Sequence, residues 1–280
     1  MIKMNNRINP ISLDTICGSL AYAMGIDAPK QAAAPSAPFV EYIDKVLKGE
    51  KVDRILMYNP DAISQWIYKK YPQFTLEMVA NTDFELPLHS VIPPKTPVCF
   101  GTMYTGAQPK IHGIQEYVKP VIRIDTLFDA LIRAGKKPVI IADQKSSLAN
   151  IYLERDMDYI LTPSGDATNA AAMQVIMEDK YDFVVVYNGN YDYLQHRKGP
   201  DSPEALAELK YNARMFAVLS NMVKTHWKQH NTLMGFAMDH GSHRVNPYEY
   251  AGETRQGIHG DNIPEDMNIV HRYKIHPATK

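Results

Sequence analysis

The stretch Phe183-Val-Val-Val-Tyr-Asn-Gly-Asn-Tyr-Asp192-Tyr-Leu-Gln-His196 sets an unbroken apolar run directly before an aspartate and a histidine spaced i, i+4. A strand without polar alternation is buried on both faces, as in parallel sheets covered by helices on each side. Asp192 and His196 then lie just past its carboxyl end, where open α/β sheets bind their ligands. The same arrangement recurs in both directions along the chain. Arg54-Ile-Leu-Met-Tyr58 reads as a strand and is followed by Asp61. Thr232 to Met238 reads as another and runs into Asp239-His240-Gly241.

Pro138-Val-Ile-Ile-Ala142 and Tyr159-Ile-Leu161 supply further strands. Helical segments alternate with them: from the end of the first strand to about Lys70, from Ile124 to Arg133 with Asp125 near its start and Gly135 at its close, and from Ala167 to Glu178. A long helix opens at Ser202-Pro203-Glu204, with serine as N-cap and proline at the first helical position, and reaches Trp227. Strands alternating with helices predict an α/β fold, a three-layer sandwich around a mostly parallel central sheet. Before this body, residues 10–25 have helical spacing ending at Gly25, Ala28 to Pro38 is a loop, and Phe39 to Leu47 is an amphipathic helix ending near Gly49. Residues 1–50 therefore read as an N-terminal helical extension packed on a core domain of residues 51–280.

The chain has 280 residues, enough for one large domain with a substantial core. Thirty basic residues nearly balance thirty-one acidic ones, and no basic run or tail offers a surface for a nucleic-acid polymer. Single nucleotides need only a local positive site and stay within the range of ligands. Two cysteines, Cys17 and Cys99, make no disulfide framework and suit a reducing cytosol. No long apolar run suggests a signal peptide or a membrane span, so the expectation is a cytoplasmic protein without membrane contact. No GxGxxG or P-loop motif is present. Oligomeric state is not legible.

Asp61, Asp192, His196, Asp239, His240 and His259 of His259-Gly260 together offer three carboxylates and three imidazoles. That is about what two zinc-type ions need once positions are left for substrate, and paired ions suit displacement at a phosphate ester. Separately each motif is ordinary: Asp192 could cap a turn and Asp-His-Gly could be one. Their placement past successive strands is what joins them.

The segment Lys95-Thr-Pro-Val-Cys-Phe-Gly-Thr-Met-Tyr-Thr-Gly-Ala-Gln-Pro-Lys-Ile-His-Gly-Ile114 resembles the nucleophile region of the nucleotide pyrophosphatase/phosphodiesterase (type I phosphodiesterase) branch of the alkaline phosphatase superfamily. Asp192-x-x-x-His196 with Gly199-Pro200, Asp239-His240-Gly241 and His259-Gly260 resemble its metal motifs, over about residues 54–273. The resemblance implies an alkaline-phosphatase-like fold and two divalent ions, with zinc suited to the donors and manganese or iron as alternatives. One ion would take Asp192, His196 and His259; the other would take Asp61, Thr96, Asp239 and His240. Thr96 would be the nucleophile, forming a covalent phosphothreonine on the way to hydrolysis of a small phosphorylated substrate such as a nucleotide. Residues after Thr96 read as a helix ending near Gly106, which sets Thr96 at a helix N-terminus, where backbone N–H groups favour an anion.

Departures from that pattern define alternatives. Asn59 competes with Asp61 for the position after the first strand, and His271 competes with His259. Cys99 stands three residues after Thr96, where the resemblance leads us to expect asparagine; a thiol there would be a weaker donor to the phosphoryl group. Cys99, Tyr104 and His243 are candidate substrate contacts. Lys95, Arg197, Tyr191 and Tyr193 are further candidates near the site. Thr102, Thr105 and His112 read as structural, and His226 and His230 as cations near a helix C-terminus. The competing functions are a phosphonate hydrolase or phosphomonoesterase of the same superfamily, or a non-catalytic binder of metal or phosphorylated ligand. A phosphomutase would need a large inserted cap for which the sequence leaves little room, and no Cys-x-Pro-x-Arg sulfatase motif occurs.

Overall fold

The computed structural model describes residues 7–279; the first six residues of the N-terminal extension and Lys280 lie outside the described residues. An eight-stranded sheet forms the centre. Its strands are β1 (Ile11–Ser12), β2 (Arg54–Pro60), β3 (Phe84–His89), β4 (Pro138–Asp143), β5 (Asp158–Thr162), β6 (Phe183–Asn188), β7 (Thr232–Phe236) and β10 (Asn268–His276). β8 (His243–Tyr250) and β9 (Glu253–Ile258) form a separate hairpin. The sheet order is β1-β3-β10-β7-β2-β6-β4-β5. β10 pairs antiparallel with both β3 and β7, while the remaining pairings are parallel.

Alternation along β2 shows how the two helical layers are recruited. Tyr58 points to one side, where its hydroxyl reaches Asn212 on the helix Pro203–His226 and its ring meets Phe216. Asn59 points to the other side, toward Met103 and Tyr104 of the helix Thr96–Thr105. Every residue of that second helix is buried. It lies under an aromatic cluster in which Tyr104 meets Phe128, Tyr152 and Phe183 at centroid distances of 5.3, 6.1 and 6.3 Å. Gly101 within it admits His112, whose Cε1 would stand 2.8 Å from an added Cβ. The helix Thr15–Met24 packs on it from the N-terminal side, and Leu13, Ile16, Leu20, Phe39 and Ile43 join the core that surrounds the sheet.

The expected strands are present, with β2, β4, β5 and β6 each slightly longer than read and β7 ending at Phe236. The helix expected from Ile124 begins at Leu127, because Thr126 and Asp129 form a capping box. Asp125 instead pairs with Arg133 at 2.6 Å. Five strands do not follow from the sequence reading: β1, β3, β8, β9 and β10. β3 carries Pro87, β1 is very short, and β10 interleaves apolar residues with Asn268, His271, Arg272 and Lys274. β8 is mostly exposed. No helix among the described residues is long and apolar enough to cross a membrane.

Ser202 caps the longest helix as the sequence implies: its Oγ accepts a hydrogen bond from the Ala205 N–H at 3.2 Å. Ser202→Ala should lower the free energy of unfolding by about 1 kcal/mol, seen in urea denaturation as a lower midpoint with an unchanged slope.

Candidate metal centre and active-site cleft

The carboxyl edge of the sheet gathers the motifs. Asp61 immediately follows β2, and its N–H donates to the carbonyl of Asn188 at the end of β6. Beyond β6, Asp192 and His196 lie on the helix Asn190–Lys198. Asp239 and His240 follow β7 on a turn that packs against the segment Pro264–Met267. The fit is so close that a Cβ on Gly241 would meet the Glu265 carbonyl oxygen at 2.1 Å, which is why glycine follows the pair. The β8–β9 hairpin leaves from this turn and returns with His259, beside His240, with ring centroids 4.1 Å apart.

Two clusters result. Asp192, His196 and His259 form one; Asp61, Asp239 and His240 form the other. His196 Nε2 and His259 Nε2 each approach Asp192 Oδ1 at 3.4 Å. His240 Nε2 lies 3.4 Å from Asp61 Oδ1 and 3.3 Å from Asp239 Oδ2. Thr96 Oγ1 stands 3.2 Å from His240 Nε2 and 3.4 Å from Asp61 Oδ2, at the first position of its buried helix. Asn59 is turned away, holding Tyr104 and the Ala237 carbonyl. His271 is also outside both clusters, with one ring nitrogen on the Met238 carbonyl and the other on Tyr273.

The donor set fits divalent cations in three independent respects. First, each cluster histidine has its Nδ1 against a backbone carbonyl: His196 on Gly257, His240 on Gly241 and His259 on Pro94, at 2.9, 2.9 and 3.0 Å. A carbonyl only accepts, so Nδ1 carries the proton and the Nε2 lone pair faces the site. Secondly, Asp61 Oδ1 and Asp239 Oδ2 are buried without a hydrogen-bond donor. Thirdly, the carboxylates repel one another. Burial pushes Asp61 well above the usual carboxylate range, and the charges of Asp239 and Asp192 add to it. Burial pushes Asp239 up to about 7 against the hydrogen bond from the Ala62 N–H. At Asp192 burial acts the same way, but the adjoining imidazoles of His196 and His259 outweigh it and hold the carboxyl low. Burial lowers His240 well below its ordinary value, and the neighbouring His259 adds to this. A pair of cations would relieve the repulsion and satisfy the orphaned oxygens.

A cleft of about 400 Å³ opens from Asp61, Thr96 and Asp192. The structure corrects two of the expected substrate contacts. Cys99 is fully buried, with its thiol 3.0 Å from the Ser90 hydroxyl, and Tyr104 is fully buried with its hydroxyl on Asn59. Neither is among the cleft-lining residues, whereas Thr96, at the first position of the same buried helix, is. His243 lies to one side, its Nδ1 on the buried Asp266 at 2.8 Å, and is not among the cleft-lining residues. Tyr191 turns inward to the Pro200 carbonyl, while Tyr193 lines the cleft with Arg197 stacked 3.6 Å over its ring. Arg197 pairs with Glu253, and the Lys95 stem packs on Gly260. Thr102 bonds His112, and His230 faces Asp179, so these are structural.

Sequence reasoning missed Tyr187, whose hydroxyl donates to Asp61 Oδ2 at 2.5 Å. A phenol next to the last residue of a mostly apolar strand is its only signal. Tyr117, Lys119 and Lys145 also line the cleft from loops that carry no motif.

Two outcomes follow from the electrostatics. Asp239→Asn removes one of the mutually repelling charges at similar volume. After chelation it should melt at or above the wild-type temperature at pH 8, yet gain no stabilisation from added zinc or manganese where the wild type gains several degrees; differential scanning calorimetry reads both. Because protonated Asp239 must lose its proton to bind a cation, apparent metal affinity should fall as pH drops through about 7. Titration calorimetry in buffers of different ionisation enthalpy would show the accompanying proton release.

A model of the family described as "Type I phosphodiesterase / nucleotide pyrophosphatase" matches residues 123–277. Murine ectonucleotide pyrophosphatase/phosphodiesterase 5 is similar in fold, with a TM-score of 0.62 at 15% identity over 78% of this chain and 87% of that one. An inactive variant of the same murine protein, in complex with AMP, gives 0.61 at 14% over 79% and 87%. Phosphonoacetate hydrolase from Sinorhizobium meliloti, in complex with phosphonoacetate, gives 0.52 at 17% over 71% and 58%. No curated protein sequence matches. With its family model spanning more than half of its length, the chain belongs to the type I phosphodiesterase/nucleotide pyrophosphatase family of the alkaline phosphatase superfamily, whose members are metal-dependent hydrolases of phosphodiester and pyrophosphate bonds.

Proposed function

We propose that the chain is a two-metal phosphoesterase that uses Thr96 as its nucleophile on a nucleotide-like phosphodiester or pyrophosphate. The observation that carries this reading is the adjacency of two clusters, Asp192–His196–His259 and Asp61–Asp239–His240, which meet through the His259 and His240 rings, with the hydroxyl of Thr96 against His240 and Asp61 of the second. Asp192, His196 and His259 would hold one divalent cation, and Asp61, Asp239 and His240 the other, together with the Thr96 oxygen. Zinc suits this mixed set, with manganese and iron as alternatives. When bound, the cations supply Lewis acidity toward the attacking, phosphoryl and leaving oxygens.

The residues of the chain do the rest. The buried helix Thr96–Thr105 fixes the hydroxyl at its N-terminus, where the positive end of the helix dipole favours an anion, although the N–H groups of Val98 and Cys99 are spent on the Lys95 carbonyl. Thr96 Oγ attacks phosphorus, the bond from phosphorus to the leaving oxygen breaks, and phosphothreonine forms. The hydroxyl proton has an acceptor at hand in Asp61 Oδ2, 3.4 Å away. Water then adds to phosphorus from the side the leaving group vacated, and the bond to Oγ breaks, returning the threonine. Tyr187 holds Asp61 in its rotamer throughout. The murine relative supports the threonine role, because its AMP complex was obtained with a variant inactivated by a threonine-to-alanine change. Phosphonate hydrolysis is the second reading, favoured by the likeness to phosphonoacetate hydrolase. Free, buried Cys17 and Cys99 are compatible with a cytoplasmic location.

Metal content and turnover of bis(p-nitrophenyl) phosphate test the reading together. Wild type should carry about two ions per chain. Thr96→Ala should retain metal yet lose at least a thousandfold in kcat/KM. Persisting turnover in that variant would remove Thr96 from the mechanism; absence of bound metal after incubation with zinc or manganese would remove the mechanism itself.

A further inference from the structure

Each carboxylate of the metal centre is held by a donor from the protein. Asp61 accepts from the Tyr187 hydroxyl and Asp239 from the Ala62 N–H. Asp192 accepts from the side chain of Gln195, whose Nε2 donates to Oδ1 at 2.9 Å. That is the oxygen from which His196 Nε2 and His259 Nε2 both stand at 3.4 Å. With the imidazole protons on Nδ1, the Gln195 amide is the donor that orients it.

Such a pair three residues apart could be an ordinary contact along a helix surface. Three observations oppose that reading. Gln195 is fully buried, whereas a surface pair leaves the far end of the amide in water. Its Oε1 receives no hydrogen bond among the described residues. A carboxylate only accepts, so the amide cannot turn over to satisfy that oxygen without losing Asp192. The hairpin is also fitted around this side chain: a Cβ on Gly257 would collide with both Oε1 and the backbone carbonyl of Gln195. Gly257 in turn offers its own carbonyl to His196 Nδ1. An unpaired buried acceptor lowers stability, and what the other end of the amide holds explains why it is kept.

We propose that Gln195 is a positioning residue for the cation site at Asp192, His196 and His259, holding Asp192 Oδ1 turned toward the two imidazoles and so strengthening that site. The proposal rests on the reading of these three residues as a cation site. Gln195 is absent from the residues lining the cleft while Asp192 is among them, so it acts through Asp192 and not on substrate. Hydrogen bonds to a ligating carboxylate set its orientation in this way, and their loss weakens metal binding by roughly tenfold to a hundredfold.

The test uses the full-length chain, freed of metal by chelation, as wild type, Gln195→Met and Gln195→Asn. Methionine keeps the length and removes the donor; asparagine keeps an amide that is one methylene too short to reach. Zinc affinity is measured by competition with a chromophoric chelator, and coordination by the visible absorption of the cobalt(II)-loaded protein. Wild type should bind two ions. Both variants should bind one ion as wild type does and the other at least about tenfold more weakly, with altered cobalt band intensity. Should the methionine variant fail to fold, the asparagine variant decides alone. Both ions bound within about twofold of wild type, with an unchanged cobalt spectrum, overturns the proposal and leaves the two-metal reading standing, even if the melting temperature falls. A wild type that binds neither zinc nor cobalt overturns both. Two ions bound, one weakened in the variants, with no phosphoester hydrolysed by wild type, keeps the role of Gln195 and sinks the phosphoesterase reading.

Discussion

Mutual repulsion among Asp61, Asp239 and Asp192 is the constraint on which the molecule turns. Three carboxylates meet at one sheet edge, two with an oxygen that no donor reaches. Such an arrangement opposes folding unless cations compensate it, so the surrounding structure must hold these groups where solvent and rotamer change would otherwise disperse them. Asp61 is fixed by Tyr187 and by its own N–H on Asn188; Asp239 is fixed by the Ala62 N–H at 3.2 Å. The histidines are fixed by backbone carbonyls drawn from three different segments. The centre is thus a junction of strand ends rather than a property of any one element.

That junction explains which parts were legible. Strands β2, β4 and β6 are buried on both faces and so are continuous apolar runs that can be read directly. The ligands directly behind such strands could be placed with them. β10 could not be read, because part of it faces a polar environment: Arg272 bonds Glu85 and Tyr68, and Lys274 pairs with Asp83. β3 is interrupted by proline. The family resemblance led to the ligand set, but the alternatives Asn59 against Asp61 and His271 against His259 are a matter of which way a side chain points, and only packing decides that.

The helix Thr96–Thr105 shows the opposite limit. It is buried on every side, so it lacks an amphipathic stripe and nothing in its sequence tells which residues face the cleft. Cys99 and Tyr104 have suitable chemistry and lie close to Thr96 in sequence, yet both belong to the core. The residues that do line the cleft, Tyr117, Lys119 and Lys145, come from loops whose path depends on what they pack against rather than on local pattern.

The position of β10 has a consequence for the order of assembly. It is the latest strand in the sequence among those described, yet it sits inside the sheet, between β3 and β7. Until it inserts, β1 and β3 have no strand linking them to the parallel strands. Asp61, Asp192 and Asp239 therefore precede in sequence the strand that joins the two parts of the sheet. The strand that follows all the others in sequence closes both the sheet and the site, which makes its insertion a long-range, slow pairing step.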